Sequence, residues 1–203
     1  MKEPTIERTK RDAAVGRGYE GHFVFHANDI LRLLSLALVG FSWWQWGILE
    51  AVVMLLVSGG TWALRFYSLT RWRDFFGQIV LLASGLFSVM GTYQQVSWLD
   101  LAVHTTMLWV LTLLLHDALR THRWITAPET RQTRWGQALM MLSVGSLLAV
   151  LWEIGEWFGH DFIDSAVGVG YRDTIGDLGA GLLGAAAAAV LMLRRPHGRR
   201  DGL

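Results

Sequence analysis

Six ionisable residues stand out by type and spacing: Asp100 and His104, Glu153 and Glu156, and Asp173 and Asp177. Each pair is three or four residues apart, so on a helix its two side chains share one face about a turn apart. The segments around them read as lipid-embedded, where an isolated charge costs roughly 2.5–3.5 kcal/mol at mid-membrane depth. Something must offset that cost. Carboxylates with one imidazole suit a hard or borderline divalent ion such as Mg²⁺, Mn²⁺ or Zn²⁺, and paired carboxylates have room for two ions. The same groups also suit a metal-free network of ion pairs and hydrogen bonds, with Arg172 as a partner, or a proton or cation relay. The residues alone leave all three open. A structural zinc site is disfavoured, because such sites use mainly Cys and His and the chain has no cysteine.

The elements that must position these groups are helices in a membrane. The 203 residues are 52% hydrophobic and 17% charged, with 11 Trp and a mean hydropathy of +0.32. That is too apolar for an ordinary soluble domain and fits one polytopic unit. The absence of cysteine excludes disulfides, thiolate ligands and Cys nucleophiles. The polar N-terminus has no apolar stretch followed by a small-residue cleavage site, so no signal peptide is expected.

The expected fold is all-α, a bundle of six transmembrane helices with both termini cytoplasmic. A polar segment covers residues 1–27, the helical domain 28–195 and a basic tail 196–203. Residues 30–64 are too long for one span of about 20 residues, so they are read as a hairpin. Its helices cover 30–43, short enough to be re-entrant instead of spanning, and 47–65, with the Trp43-Trp44-Gln45-Trp46-Gly47 cluster at the turn. Further helices are expected over 75–93, 98–118, 136–158 and 173–193.

Basic residues mark the cytoplasmic side. The N-terminus, the Arg65/Arg71/Arg73 group, the Arg120/Arg123/Arg131/Arg134 loop broken at Pro128, and the Arg194–Arg200 tail all fall there after six crossings. The intervening gap at Tyr93-Gln94-Gln95 and the loop with Asp161 and Asp164 carry no such cluster. Tryptophans prefer the headgroup belts, and most of them fall at expected helix ends. All three polar pairs then lie at the outer end, with Glu50 at similar depth.

Small residues indicate which way the pairs face. Ser146 and Ala149 continue the stripe of Glu153 and Glu156, while Gly176, Ala180, Gly184 and Ala188 run beside that of Asp173, Asp177 and Gly181. Small stripes mark close helix contacts in membranes, so the acids are expected to point into the bundle. Other polar residues read as bland: Asp29 with Arg32 at a helix start, pairing or snorkelling, His116 with Asp117 as solvated, and His22 and His26 as surface groups. Gly168 and Gly170 follow no strand and make no phosphate-binding fingerprint, and no nucleic-acid module appears. The expected partner is membrane lipid.

Trp152-Glu153-x-x-Glu156-Trp157 followed by Asp173-Thr174-x-x-Asp177-Leu178 and a Gly/Ala-rich final helix resembles the YjdF-like family of uncharacterised bacterial inner-membrane proteins. The likeness is clearest over residues 151–185 and extends to Asp100-x-x-x-His104. In outline the pattern is also similar to the VanZ-like proteins linked to glycopeptide resistance. The resemblance implies a multi-pass protein of the bacterial inner membrane and names no reaction. The resulting expectation is a divalent-metal site with Asp100, His104, Glu153, Glu156, Asp173 and Asp177 as ligands. One of Glu153 and Glu156 would act as general base in hydrolysis or group transfer on an envelope lipid. A small proton- or cation-coupled transporter and a structural membrane protein are the alternatives.

Overall fold

In the computed structural model, residues 25–93, 95–96, 98–163 and 169–194 are described. They form six α-helices and no strand: α1 (Asp29–Gln45), α2 (Ile48–Tyr67), α3 (Arg71–Val89), α4 (Leu99–Thr121), α5 (Arg131–Phe162) and α6 (Tyr171–Leu193). Four of them, α2, α4, α5 and α6, are long and apolar enough to cross a membrane. Most of the N-terminal segment, with His22, lies outside the described residues, as do Asp164, Gly168 and the tail beyond Arg194.

On α1 burial is inverted relative to a soluble protein. The buried residues of α1 are Asp29, Arg32, Ser35 and Ser42, whereas Ile30, Leu33, Leu34, Leu36 and Phe41 are exposed. Water would not tolerate that arrangement, because exposed apolar area is what the hydrophobic effect removes. Lipid does, since it is as apolar as leucine and helix contact there comes from close packing and polar pairing. The tryptophans agree: Trp43, Trp44, Trp72, Trp98, Trp124, Trp135 and Trp157 are all exposed.

The described residues divide into two compact units, one within 25–89 and 117–126 and the other within 90–116 and 127–194. In the first, α1 and α2 form the expected hairpin, joined by Trp46 and Gly47. Gly47 has φ +135°, a conformation that a side chain would strain. Ser35 Oγ donates to Ser58 Oγ at 3.0 Å and lies 3.3 Å from Thr61 Oγ1, giving the pair a polar seam. Gly85 of α3 packs on α2, where an added Cβ would come within 2.7 Å of Val57 and 3.0 Å of the Met54 sulfur.

Two helix starts differ from expectation for local reasons. α3 begins at Arg71 rather than 75 because the Thr70 hydroxyl accepts the Arg73 N–H at 3.2 Å, satisfying an otherwise orphaned donor. α5 begins at Arg131 rather than 136 because Thr130 and Thr133 form a reciprocal capping box. Arg131 and Arg134 therefore sit on the first turn of a helix and not in a loop.

In the second unit, α6 is held by its small residues. Ala180, Gly181, Gly184, Ala185, Ala188 and Ala189 are buried. A Cβ at Gly184 would run into the Thr105 carbonyl oxygen and lie 2.9 Å from the Trp109 nitrogen, so α6 touches the backbone of α4 there. Gly145 of α5 is equally tight, with a Cβ position 2.6 Å from Ala185 and 2.6 Å from Thr112 Oγ1. These close approaches fix α4, α5 and α6 side by side.

Candidate functional site

The three polar pairs are carried by those three helices, all within the second unit. His104 is the hub. Its Nε2 is 3.5 Å from Asp100 Oδ1, one turn earlier on α4, and 3.9 Å from Asp177 Oδ1 on α6. Its Nδ1 is 3.8 Å from Glu153 Oε1 on α5. The Trp152 ring stands edge-on to the imidazole, with centroids 6.4 Å apart.

Two overlapping groups result. His104, Glu153, Glu156 and Asp177 each place one ligand-type atom within 4.8 Å of all the others, and Asp100, Asp173 and Asp177 do the same. Asp177 belongs to both. All six residues singled out in the sequence are therefore brought together, whereas Glu50 belongs to neither group: it lies on α2 in the first unit, its carboxylate beside Gly47. Burial grades across the set. Asp177 and His104 are buried, Glu153, Glu156 and Asp100 are half-buried, and Asp173 is exposed.

The structure provides little to neutralise these carboxylates. Among the described residues no Arg or Lys forms an ion pair with any of them. Arg172, the expected competitor, is exposed. Thr174 hydrogen-bonds Glu153 and Trp152 hydrogen-bonds Glu156. Asp177 Oδ1 is fully buried and has no hydrogen-bond partner, although its side chain is only 3% exposed. A buried oxygen left unpaired costs about 1–3 kcal/mol, more when charged, so it marks a place where a further atom belongs. A recess lined by Arg131, Arg134, Trp135 and Leu193 adjoins the start of α5, whereas Glu153 and Glu156 lie near its end.

Just outside the helices, Tyr93 is affected by the same charge. Burial raises its phenol pKa above the ordinary tyrosine range, and the Asp100 and Glu156 carboxylates add to the effect.

The first unit holds a polar cluster that sequence reasoning undervalued. Arg32 is buried and bridges Asp29, at 2.9 Å, and Asp74, while its Nε donates to the Thr61 carbonyl at 3.1 Å. Arg65 pairs with Asp29. Asn28 donates to Asp74 at 2.8 Å and Gln78 does so at 3.2 Å. The available signal was the i, i+3 spacing of Asp29 and Arg32, with Asp74 as the one acid beside a basic cluster. The expectation that His116 and Asp117 are solvated is corrected: both are buried. Asp117 pairs with Arg73 and accepts the Leu69 N–H at 3.0 Å, closing the α2–α3 turn.

A family described as "Predicted membrane protein (DUF2238)" matches residues 30–198, so the chain belongs to that family of uncharacterised membrane proteins. No curated protein and no solved structure matches it.

Proposed function

We propose that this membrane protein binds a divalent metal ion between α4, α5 and α6, through His104, Glu153, Glu156 and Asp177. The observation that carries the reading is the buried, unpartnered Asp177 Oδ1, aimed among an imidazole and two glutamates. The donor set fits: oxygen donors with a single imidazole suit Mg²⁺, Mn²⁺ or Zn²⁺. A metal-free network of ion pairs fits less well, because among the described residues no Arg or Lys pairs with these acids.

Such an ion supplies Lewis-acid polarisation of a carbonyl or phosphoryl oxygen. The chain's own residues do the rest. His104 and Asp177 are fixed by packing on α4 and α6 and hold the buried side of the site. One of Glu153 and Glu156, half-exposed on α5, would be the general base that takes a proton from an attacking water or hydroxyl. The apolar outer faces of these helices bring lipid alongside, so the substrate class we assign is an envelope lipid undergoing hydrolysis or group transfer. The likeness of the acidic motifs to YjdF-like and VanZ-like proteins fits an envelope role.

The topology belongs to the same proposal: six crossings in a bacterial inner membrane, basic ends of the helices in the cytoplasm and the acids toward the outer leaflet. The chain has no cysteine, so single cysteines introduced at position 95 and position 123 report sidedness without background. Labelling of both from the same side would refute this topology.

Elemental analysis of protein purified under metal-replete conditions tests the site itself. A divalent ion should copurify with the native chain and be lost from Asp177→Asn, with helical content unchanged. Native protein without bound metal would overturn the reading.

A further inference from the structure

The proposed ion satisfies only part of the acidic cluster. The five carboxylates of Asp100, Glu153, Glu156, Asp173 and Asp177 carry five negative charges when ionised. One divalent ion leaves three of them, with no Arg or Lys paired to any of these groups among the described residues. Charge of that size at the end of a membrane-embedded bundle is expensive and is relieved either by protonation or by a second cation.

The geometry offers a second position. Asp100, Asp173 and Asp177 converge within 4.8 Å as a separate group, and Asp177 is common to both groups. Resting on the metal reading above, we propose that the protein holds two divalent ions bridged by the Asp177 carboxylate. The deeper ion takes His104, Glu153 and Glu156. The outer one takes Asp100 and Asp173.

The two positions differ in access, and that difference assigns their roles. His104 is 7% exposed, whereas the Asp100 side chain is 30% exposed and Asp173 is open. The deep ion is thus the less accessible of the two, approached only beside the half-buried Glu153 and Glu156, and the outer one keeps more of its coordination sites open to substrate. Ions sharing a carboxylate lie about 3.5–4 Å apart, a spacing that spans two oxygens of one phosphoryl group. The substrate class this favours is a phosphate ester, presented by a lipid headgroup or by a soluble molecule.

The test uses the full chain in detergent, with Mn²⁺ as probe, by equilibrium dialysis and electron paramagnetic resonance. Native protein should bind two ions per chain and show an exchange-broadened spectrum. Asp173→Asn, an exposed substitution that leaves the helix contacts intact, should bind one ion and show an isolated-ion spectrum. Asp177→Asn should lose the coupling and the tight binding together. One ion per native chain, unchanged by Asp173→Asn and Asp100→Asn, overturns the two-ion proposal and leaves the single site standing. No bound ion overturns both. Two uncoupled ions insensitive to Asp177→Asn overturn the bridge. With the two-ion form in hand, inorganic phosphate and vesicles containing phosphatidic acid are compared as ligands. Perturbation of the coupled spectrum by either supports the phosphoryl assignment and identifies the source. A spectrum indifferent to both refutes it.

Discussion

Replacing Gly184 by Ala tests the packing that assembles the site. A Cβ there meets backbone, the Thr105 carbonyl oxygen and the Trp109 nitrogen at 2.9 Å, so no side-chain rotation can relieve it. Restoring the Trp109 contact alone to the 3.4 Å at which ordinary contacts begin requires α6 to withdraw by about 0.5 Å. The carbonyl contact demands more. Overpacking of this kind costs about 1–3 kcal/mol, partly offset by the roughly 0.8–1 kcal/mol by which Ala favours a helix over Gly. Gly179 is the internal control, on the same helix with nothing within 4 Å of its Cβ position. Ala there should be neutral or slightly stabilising. Unfolding midpoints in mixed detergent micelles should therefore fall for Gly184→Ala and hold or rise for Gly179→Ala. Gly184→Ala should also weaken Mn²⁺ binding, because the His104–Asp177 separation of 3.9 Å depends on that contact. Equal midpoints for the two variants would refute the packing argument.

Further outcomes are expected at Arg32 and Tyr93. Arg32→Met leaves Asp74 and Asp29 without their shared buried partner and should cost about 3–5 kcal/mol, measured by the same unfolding assay. Arg32→Lys should fall between, since a point charge cannot bridge two acids and a carbonyl as a guanidinium does. Tyr93 supplies a pH dependence: the folded chain holds the phenolic proton more tightly than the unfolded one. Its contribution is therefore present below the ordinary tyrosine value of about 10 and is lost as pH rises above it. In metal-free protein, Tyr93→Phe should reduce the alkaline loss of stability, and Asp100→Asn or added divalent ion should bring the phenol pKa down in an ultraviolet titration.

Much of this protein could be read from its sequence, for reasons that differ by feature. Apolar runs and the tight Trp46–Gly47 connection mark the α1–α2 hairpin, because helix length and glycine freedom are local properties. The i, i+3 and i, i+4 spacing of the acids put each pair on one helix face. The small residues of α6 indicated a close contact, since only a missing Cβ lets two backbones meet. Helix starts were misread where a single hydroxyl, on Thr70 or Thr130, decided the first turn.

Tertiary structure alone decided what each charge meets. Spacing puts Asp29 beside Arg32, but nothing in it says that Arg65 and Asp74 join them, or that Asp117 closes the turn at Leu69, because those partners are distant along the chain. The same holds at the candidate site. Sequence identified three pairs of groups, and only the packing of α4, α5 and α6 made His104 their hub, put Asp177 in both groups and left its Oδ1 unpaired. Periodicity fixes directions around one helix axis; distances between axes follow from which residues are small enough to let the helices touch.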